Sequence, residues 1–437
     1  MNALKWLGVL TLLLPNIPTC FAQIVTLNSA DVIFTNGSIV TSNGGFVIGN
    51  GTNYTNNGDL DVTKNSTLPA AGNFILDAGA NVNGSGLYSI EQNWINNGSF
   101  FAENSTVNLY GNTEQLISST NGTVTEFNNL NLLGIGTGIN RRKSLQGADA
   151  RVSTTGILQL NDRELATQTN LFSVLNTTNL AILNDLTFGN EGFVSSEPPG
   201  MLAWSTNSTN NYYFPVGSSN GTQRYRPVSI RPEANANNTF RVRLDNTSAD
   251  TYSYFLAQHD NSISQANTSF FHSIEQVAGN SNVDLRIAYK PIDDGEWGTI
   301  GHWKANQDLW VSIGPANQNG LGNYSSLEKV NWDFPDAYIP YVLANSEELL
   351  IIPNVFTPNN DNMNDLYTVT GKGVTDYSIV IVNRWGNPVF ESDDLNTSWD
   401  GTFNGEPCQD GVYFYIIRGK SGTEEFVKQG HITLYNN

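Results

Sequence analysis

Thr55-Asn56-Asn57-Gly58-Asp59-Leu60 is echoed by Ile95-Asn96-Asn97-Gly98-Ser99-Phe100. In both, an Asn-Asn-Gly corner passes the chain into an alternating polar and apolar run, the pattern of a turn followed by a strand. Further corners stand at Asn36-Gly37, Ala78-Gly79 and Asn121-Gly122, so that one recurs about every 20 residues. Asn and Gly suit such corners because both tolerate positive φ, and an Asn side chain can bond its own backbone across the bend. Between corners, Val107-Asn108-Leu109-Tyr110 and Phe127-Asn128-Asn129-Leu130-Asn131-Leu132 alternate with period two, which turns one set of side chains inward. Residues 23–185 are therefore predicted to form β-solenoid-like coils, each pairing its backbone with the next, with the echo two periods apart. An irregular β-sandwich is the alternative, because the period drifts.

The texture changes over residues 186–348. Strand-like runs such as Tyr212-Tyr213-Phe214-Pro215-Val216, Arg226-Pro227-Val228-Ser229-Ile230, Phe240-Arg241-Val242-Arg243-Leu244 and Val283-Asp284-Leu285-Arg286-Ile287 are separated by Asn/Ser/Gly-rich turns. That spacing predicts a β-sandwich. No stretch sustains a 3.6-residue apolar period, so the fold class is all-β.

Residues 349–437 carry four blocks in order: Pro353-Asn354-Val355-Phe356-Thr357-Pro358-Asn359-Asn360-Asp361-Asn362-Met363-Asn364-Asp365, Ile381-Val382-Asn383-Arg384-Trp385-Gly386, Trp399-Asp400-Gly401 and Gly411-Val412-Tyr413-Phe414-Tyr415. Tyr377 to Val382, Pro388 to Phe390, Val412 to Ile417 and Phe426 to Leu434 read as strands of a small Ig-like antiparallel sandwich, with Trp385, Trp399, Tyr413 and Tyr415 as its expected core. The four blocks resemble the gliding-motility-associated C-terminal domain, the type B sorting domain of the type IX secretion system of gliding Gram-negative bacteria. The resemblance implies recognition by outer-membrane type IX secretion machinery and delivery through the periplasm to the medium or the outer cell surface. The positions that carry it are Asn354, Phe356, Pro358, Asn359, Asp361, Asn364, Asp365, Asn383, Arg384, Trp385, Gly386, Trp399, Asp400, Gly401, Gly411, Tyr413 and Tyr415. Asn360 and Asn362 stand where members of that family usually carry glycine, a mild departure since Asn reaches the same left-handed backbone. Tyr213-Phe214-Pro215-Val216-Gly217 with Tyr225-Arg226-Pro227-Val228, and His302-Trp303 with Leu309-Trp310, look like a module often found upstream of this sorting domain.

The other terminus agrees. Lys5, the apolar run Trp6 to Leu14 and Cys20-Phe21-Ala22 before Gln23 read as a cleaved secretory signal over residues 1–22. Cys20 as a lipoprotein acceptor fits poorly after Pro18 and Thr19. No later segment approaches the ~20 apolar residues of a membrane-spanning helix. Among 437 residues there are only 21 Lys plus Arg against 40 Asp plus Glu, a net charge of −19 that repels phosphate backbones and argues against nucleic-acid partners. Once the signal is removed Cys408 is the single cysteine, so no internal disulfide can form.

Several local patterns invite chemistry. Gly217-Ser218-Ser219-Asn220-Gly221 matches a nucleophile elbow, but joins two β-runs instead of a strand and a helix, so no catalytic role is assigned to Ser219. Gly134-Ile135-Gly136-Thr137-Gly138 lacks the βαβ setting of a phosphate cradle and is predicted as a loop, with Arg141, Arg142 and Lys143 after it as a weak candidate for surface contact. His259, His272, His302 and His431 lack metal-site spacing. The pairs Asp59 with Asp61 and Asp293 with Asp294 are expected to be solvated. Trp297, Trp303, Trp310 and Trp332 are expected in the core instead of on a sugar-stacking platform. Asn359, Asp361, Asn364 and Asp365 place oxygens at short spacing and are the weak calcium candidates, with an Asx-turn as the favoured account; no other cofactor is implied. The functional expectation is a non-catalytic structural or adhesive passenger whose Asn/Ser/Thr-rich faces meet glycans or extracellular matrix. The alternative is a secreted polysaccharide-active enzyme of β-solenoid lyase or glycosidase type.

Overall fold

The computed structural model describes residues 10–11, 21–22, 24–65, 72–187, 189–321, 323–334, 339–346, 350–361, 363–371, 374–421 and 424–436. Most of the predicted signal segment, Lys5 and Cys20 included, lies outside them, as do Leu349 and Asn362. Among the described residues the protein is all-β, interrupted by the helical turn Pro291–Asp294 and the 3₁₀ turns Gly138–Arg141 and Ala249–Tyr252.

From residue 31 the chain visits three sheets in rotation. Asp31–Phe34, Ile39–Asn43 and Phe46–Ile48 each belong to a different sheet, and Asn53–Asn56, Asp59–Thr63 and Phe74–Leu76 pair with them in parallel, one circuit later. Inward positions stack in register: Val40, Leu60, Tyr88, Val107 and Leu130 on one sheet, Phe46, Phe74 and Trp94 on another. Except for half-buried Val40 these side chains are fully buried, because period-two alternation aims each at the enclosed axis. The rings meet closely: Phe74 and Trp94 stack at 4.4 Å, and Trp94 meets Phe100 edge-on at 4.9 Å. The circuit length drifts as the sequence suggested, from 18 residues between Asn81 and Ser99 to 30 between Leu171 and Met201.

The two echoed hexapeptides prove to be one kind of corner used at different places. The first joins Asn53–Asn56 to Asp59–Thr63, whereas the second joins Trp94–Asn96 to Ser99–Phe100, which lies in the sheet of Asn53–Asn56. They are therefore not register equivalents two circuits apart. Asn56 Oδ1 accepts the Gly58 N–H at 3.2 Å and Asn96 Oδ1 accepts that of Gly98 at 3.1 Å, the expected bond across the bend. The second Asn of each pair reaches along the stack instead, Asn57 to Ser85 N and Asn97 to Thr120 N. Positive φ holds at Gly37, Gly79 and Gly122 but not at Gly58 or Gly98. There glycine is required by close approach: a Cβ on Gly58 would lie 2.5 Å from Ser38 O, and one on Gly98 2.6 Å from Ala80 O.

In the sheet of Asp59–Thr63, parallel pairing ends at Met201–Thr206, which takes Leu171–Val174 on one side in parallel and Asn238–Asp245 on the other antiparallel. The same sheet thus runs through residue 185/186 and continues as Asn238–Asp245, Phe271–Ala278, Ile339–Asn345, Thr299–Lys304 and Leu309–Pro315. An antiparallel sheet containing Tyr212–Phe214, Val228–Pro232, Val283–Tyr289 and Tyr324–Trp332 accompanies it, and one apolar cluster extends from Val32 to Ala344. Trp297, Trp303 and Trp310 are buried in that cluster and Trp332 packs against it, which removes them as an exposed platform.

Residues 350–436 have a core of their own. A five-stranded sheet is ordered Val355–Phe356, Glu424–Leu434, Gly411–Ser421, Val374–Val382, Pro388–Ser392, its first pair parallel and the rest antiparallel. Tyr377, Ile379, Ile381, Ile417, Ile432 and Leu434 point to one face of it, where Phe356, Tyr367 and Trp399 close the core.

Candidate functional site

The C-terminal motif residues divide into a buried and an exposed set. Phe356, Trp399 and Tyr413 form the aromatic centre, with Phe356 5.2 Å and Tyr413 5.3 Å from the Trp399 ring. The Trp399 indole donates to Thr402 O, Tyr413 Oη donates to Gln409 O, and Tyr415 is half-buried at the edge of the core. Asp400 Oδ1 accepts from Thr402 N and Oγ1, shaping a tight turn at Gly401, whose φ of +80° and contact with Pro358 exclude a larger residue. Gly411 begins a strand with a φ of +151°. Asn354 O accepts the Thr433 N–H and so docks the first strand of the sheet.

Trp385 corrects the predicted core. It is 79% exposed, at the tip of the connection between Val374–Val382 and Pro388–Ser392. Asn383 Oδ1 accepts from both Trp385 N and Asn387 N, and Gly386 sits at φ +80°, so the backbone turns before the indole can reach the interior. The Arg384 guanidinium lies 6.0 Å from the indole centre. Arg384 also stands near Tyr413, where burial raises the phenol pKa and the guanidinium offsets part of that rise. Burial likewise pushes up the half-buried Cys408 thiol, which disfavours the reactive thiolate.

The Asn359–Asp365 loop is held by its own side chains. Asn359 Oδ1 accepts from Asp361 N, Asp361 Oδ1 from Met363 N at 2.8 Å, and Asp365 Oδ1 from Asn360 N at 2.7 Å. Asn360 and Asn364 adopt left-handed φ of 62° and 56°. Three of the candidate calcium oxygens are thus engaged by loop amides, the first two as consecutive Asx-turns and the third as a bond back across the loop.

In the passenger, the Arg141-Arg142-Lys143 cluster is not a surface patch. Arg141 and Lys143 are buried, and Arg142 pairs with fully buried Glu164 at 3.2 Å. Glu164 also accepts from Ser195 Oγ and Ser219 Oγ, both at 2.6 Å, while Arg142 donates to Ser219 Oγ. The elbow-like serine is therefore a tie between a coil strand and the Gly217–Ser218 hairpin. Lys143 Nζ donates to Gly111 O and Gln115 Oε1, and burial, assisted by Arg163, lowers its pKa to about 7. Asp294 departs from expectation too: it is buried against Arg226, which donates to Oδ1 at 2.7 Å, whereas Asp293 is half exposed. His272 and His302 are buried and His259 and His431 exposed. No local pattern announced these pairs, whose partners lie 22 to 68 residues apart in the chain, as Arg142 and Glu164, or Arg226 and Asp294, do.

The outward row of the longest sheet is polar and continuous. Asp61, Ser89, Asn108, Asn131 and Gln159 stand in register, with Asn131 Nδ2 donating to Asn108 Oδ1 at 3.1 Å and Asn161 Nδ2 to Asn131 Oδ1 at 2.9 Å. It ends at an open depression of about 310 Å³ lined by Gln159, Asn161, Asp162, Leu183, Asn184 and Asp185. The recurrence of Asn at alternate strand positions was the sequence signal for this ladder; its alignment across circuits was not readable.

Residues 350–434 match the family model described as CHU_C Type IX secretion signal domain. No curated protein and no solved structure matches the chain. With the four motif blocks on one independently cored unit inside the matched span, the chain carries a type IX secretion signal domain at residues 350–434, and is exported to be secreted or attached at the cell surface.

Proposed function

We propose that the exported passenger is a non-catalytic structural or adhesive β-solenoid joined to a β-sandwich, carried by an Ig-like sorting domain. The observation behind this is the ladder from Ser89 through Asn108 and Asn131 to Asn161, a flat row of linked amides and hydroxyls at the spacing of paired strands. Such a row offers repeated weak hydrogen bonds to the hydroxyls of a neutral glycan, and repetition converts weak contacts into avidity. The carboxylates of the adjoining depression suit binding better than acid catalysis. Arg163 holds Asp162 below the usual carboxylate range, and the Thr187 hydrogen bond does the same for Asp185, whereas a glycosidase acid needs a raised pKa. Binding of the full chain to a panel of neutral polysaccharides, compared with Asn108→Leu/Asn131→Leu, tests the proposal; equal binding by the two proteins would sink it.

One observation favours a polysaccharide-active enzyme. On the same face Asp61 is half-buried and accepts from Tyr110 Oη at 2.9 Å, and its carboxyl pKa is raised by burial and further by nearby Glu91. A carboxyl whose pKa is raised by burial beside a second carboxylate, with the Tyr110 hydrogen bond opposing the rise, is shifted in the direction a general acid needs. Release of oligosaccharides by the intact chain but not by Asp61→Asn would establish that reading over the first.

A further inference from the structure

The sorting domain spends one face of its five-stranded sheet on its core and carries an apolar strip on the other, bordered by Gln429 and His431 opposite Ile416 and Phe414. Antiparallel sheets with a solvated side ordinarily alternate apolar-in and polar-out. Here Val412, Phe414 and Ile416, the outward residues that alternate with Tyr413, Tyr415 and Ile417, are 36 to 47% exposed. Their neighbours continue the patch: Val382 pairs with Phe414 and Val380 with Ile416 on one side, and Val412 is followed across Thr433 by Val355, 47% exposed, on the other. Val427, 55% exposed, stands apart from it, beyond Gln429 and opposite Arg418. Trp385 projects from the hairpin that begins just beyond Val382. A contiguous apolar patch with a polar rim marks a protein-binding surface far more often than idle solvent contact.

We infer that this outer face, centred on Val412, Phe414 and Ile416 with Trp385 at its margin, is the surface by which the type IX export machinery grips the sorting domain. The inference rests on the assignment of residues 350–434 as the secretion signal. The patch lies wholly inside that matched span, from Val355 to Thr433, and a signal read as a folded domain must present its reader with something other than its core. The charges bordering the patch fit a protein reader. Arg384 and Arg418 are exposed there, with Glu391 on the flanking strand, in a chain whose net charge is −19. The complementary surface is therefore apolar at its centre, with carboxylates facing Arg384 and Arg418 and a cation facing Glu391, and aromatic and Arg anchors are the side chains that carry most interface energy.

The test is a quantitative export assay in a host with the type IX system, using the full chain, Val412→Thr/Phe414→Thr/Ile416→Thr, and a deletion of residues 350–437. Threonine keeps strand propensity and leaves the inward residues in place. The triple variant should keep its melting temperature within a few degrees yet accumulate in the periplasm, with the surface-accessible fraction reduced at least tenfold. Unchanged export of the folded triple variant, when the deletion is retained, overturns the inference and leaves the sorting assignment intact. Export of the deletion as well removes that assignment and the inference with it. Should the triple variant fail to fold, Phe414→Gln alone gives the same comparison. A purified full chain that dimerises, and becomes monomeric in the triple variant without loss of export, would reassign the face to a second copy; release from vesicles without loss of export would reassign it to a lipid surface. Either result overturns the inference.

Discussion

The parallel coils and the C-terminal sheet use the same inward chemistry and opposite outward chemistry. Inside, both alternate aliphatic and aromatic residues to complete burial, Tyr88 and Trp94 in one, Ile381 and Trp399 in the other. Outside, the coil sheet carries Asp61, Ser89, Asn108, Asn131 and Gln159, whereas the C-terminal sheet carries an apolar strip of Val380, Val382, Val412, Phe414 and Ile416 bordered by Gln429 and His431. Period-two patterning therefore accounts for stability in both regions, and the residues it turns outward distinguish what each region meets.

Equal inner faces imply equal costs of breaking them. Trp94→Ala and Trp399→Ala should each cost about 3–5 kcal/mol, the range for deleting a buried aromatic side chain, measured by denaturant unfolding. A loss below about 1 kcal/mol at either site would show that one core is looser than its burial suggests.

Two buried titratable groups give the passenger a pH dependence of its own. Burial holds His272 down at about 4, against the hydrogen bond to the Arg226 carbonyl, while its unfolded value is near 6.5. Between those values the unfolded chain binds more protons, so stability should fall as pH drops from about 6.5 to about 4. Lys143, lowered by burial to about 7 from 10.5, gives an alkaline counterpart in which stability rises with pH from about 7 to 10.5. Melting curves of His272→Gln and Lys143→Met should each be flatter in their own window; an unaltered slope would mean the group is not held in its neutral form.

Glycines sharpen the comparison on a smaller scale. Gly98→Ala forces a Cβ against the backbone of another circuit and should cost about 1–3 kcal/mol. Gly386→Ala, at φ +80° in open space, bears only the left-handed backbone penalty of about 1 kcal/mol. The reverse order in thermal melts would contradict the close-approach account of the coil corners.

Outward changes should be the mildest. Trp385→Ala and Asn108→Ala are expected within about 0.5 kcal/mol of the parent, since neither fills a core. The melting temperature should also be the same in excess calcium and in chelator, because Asp361 and Asp365 already serve loop amides. A calcium-dependent rise would restore the metal reading of that loop.

Much of this was legible before any coordinates. The Asn-Asn-Gly corners, the inward Val107 and Leu109, and the four C-terminal blocks each rest on chemistry within a few residues, where turn preference and side-chain alternation act. The failures have a common cause. Trp385 was expected inside because tryptophan usually is, but Asn383 turns the chain first. Arg141 and Lys143 were expected outside because charge usually is, but carbonyls and a glutamate far along the chain receive them or their neighbour Arg142.

The sequence by itself determined the all-β class, the corners, the inward Val107 and Leu109 and the sorting signal, because a period of two and a turn are local properties of the chain. Only the tertiary structure decided which corners share a sheet edge, which charges are buried in pairs, and that amides align on one outer face while valines and Phe414 align on another. Those outcomes depend on strands brought together from 18 or more residues apart in the coils, as Asn81 and Ser99 are, and no local pattern fixes that pairing.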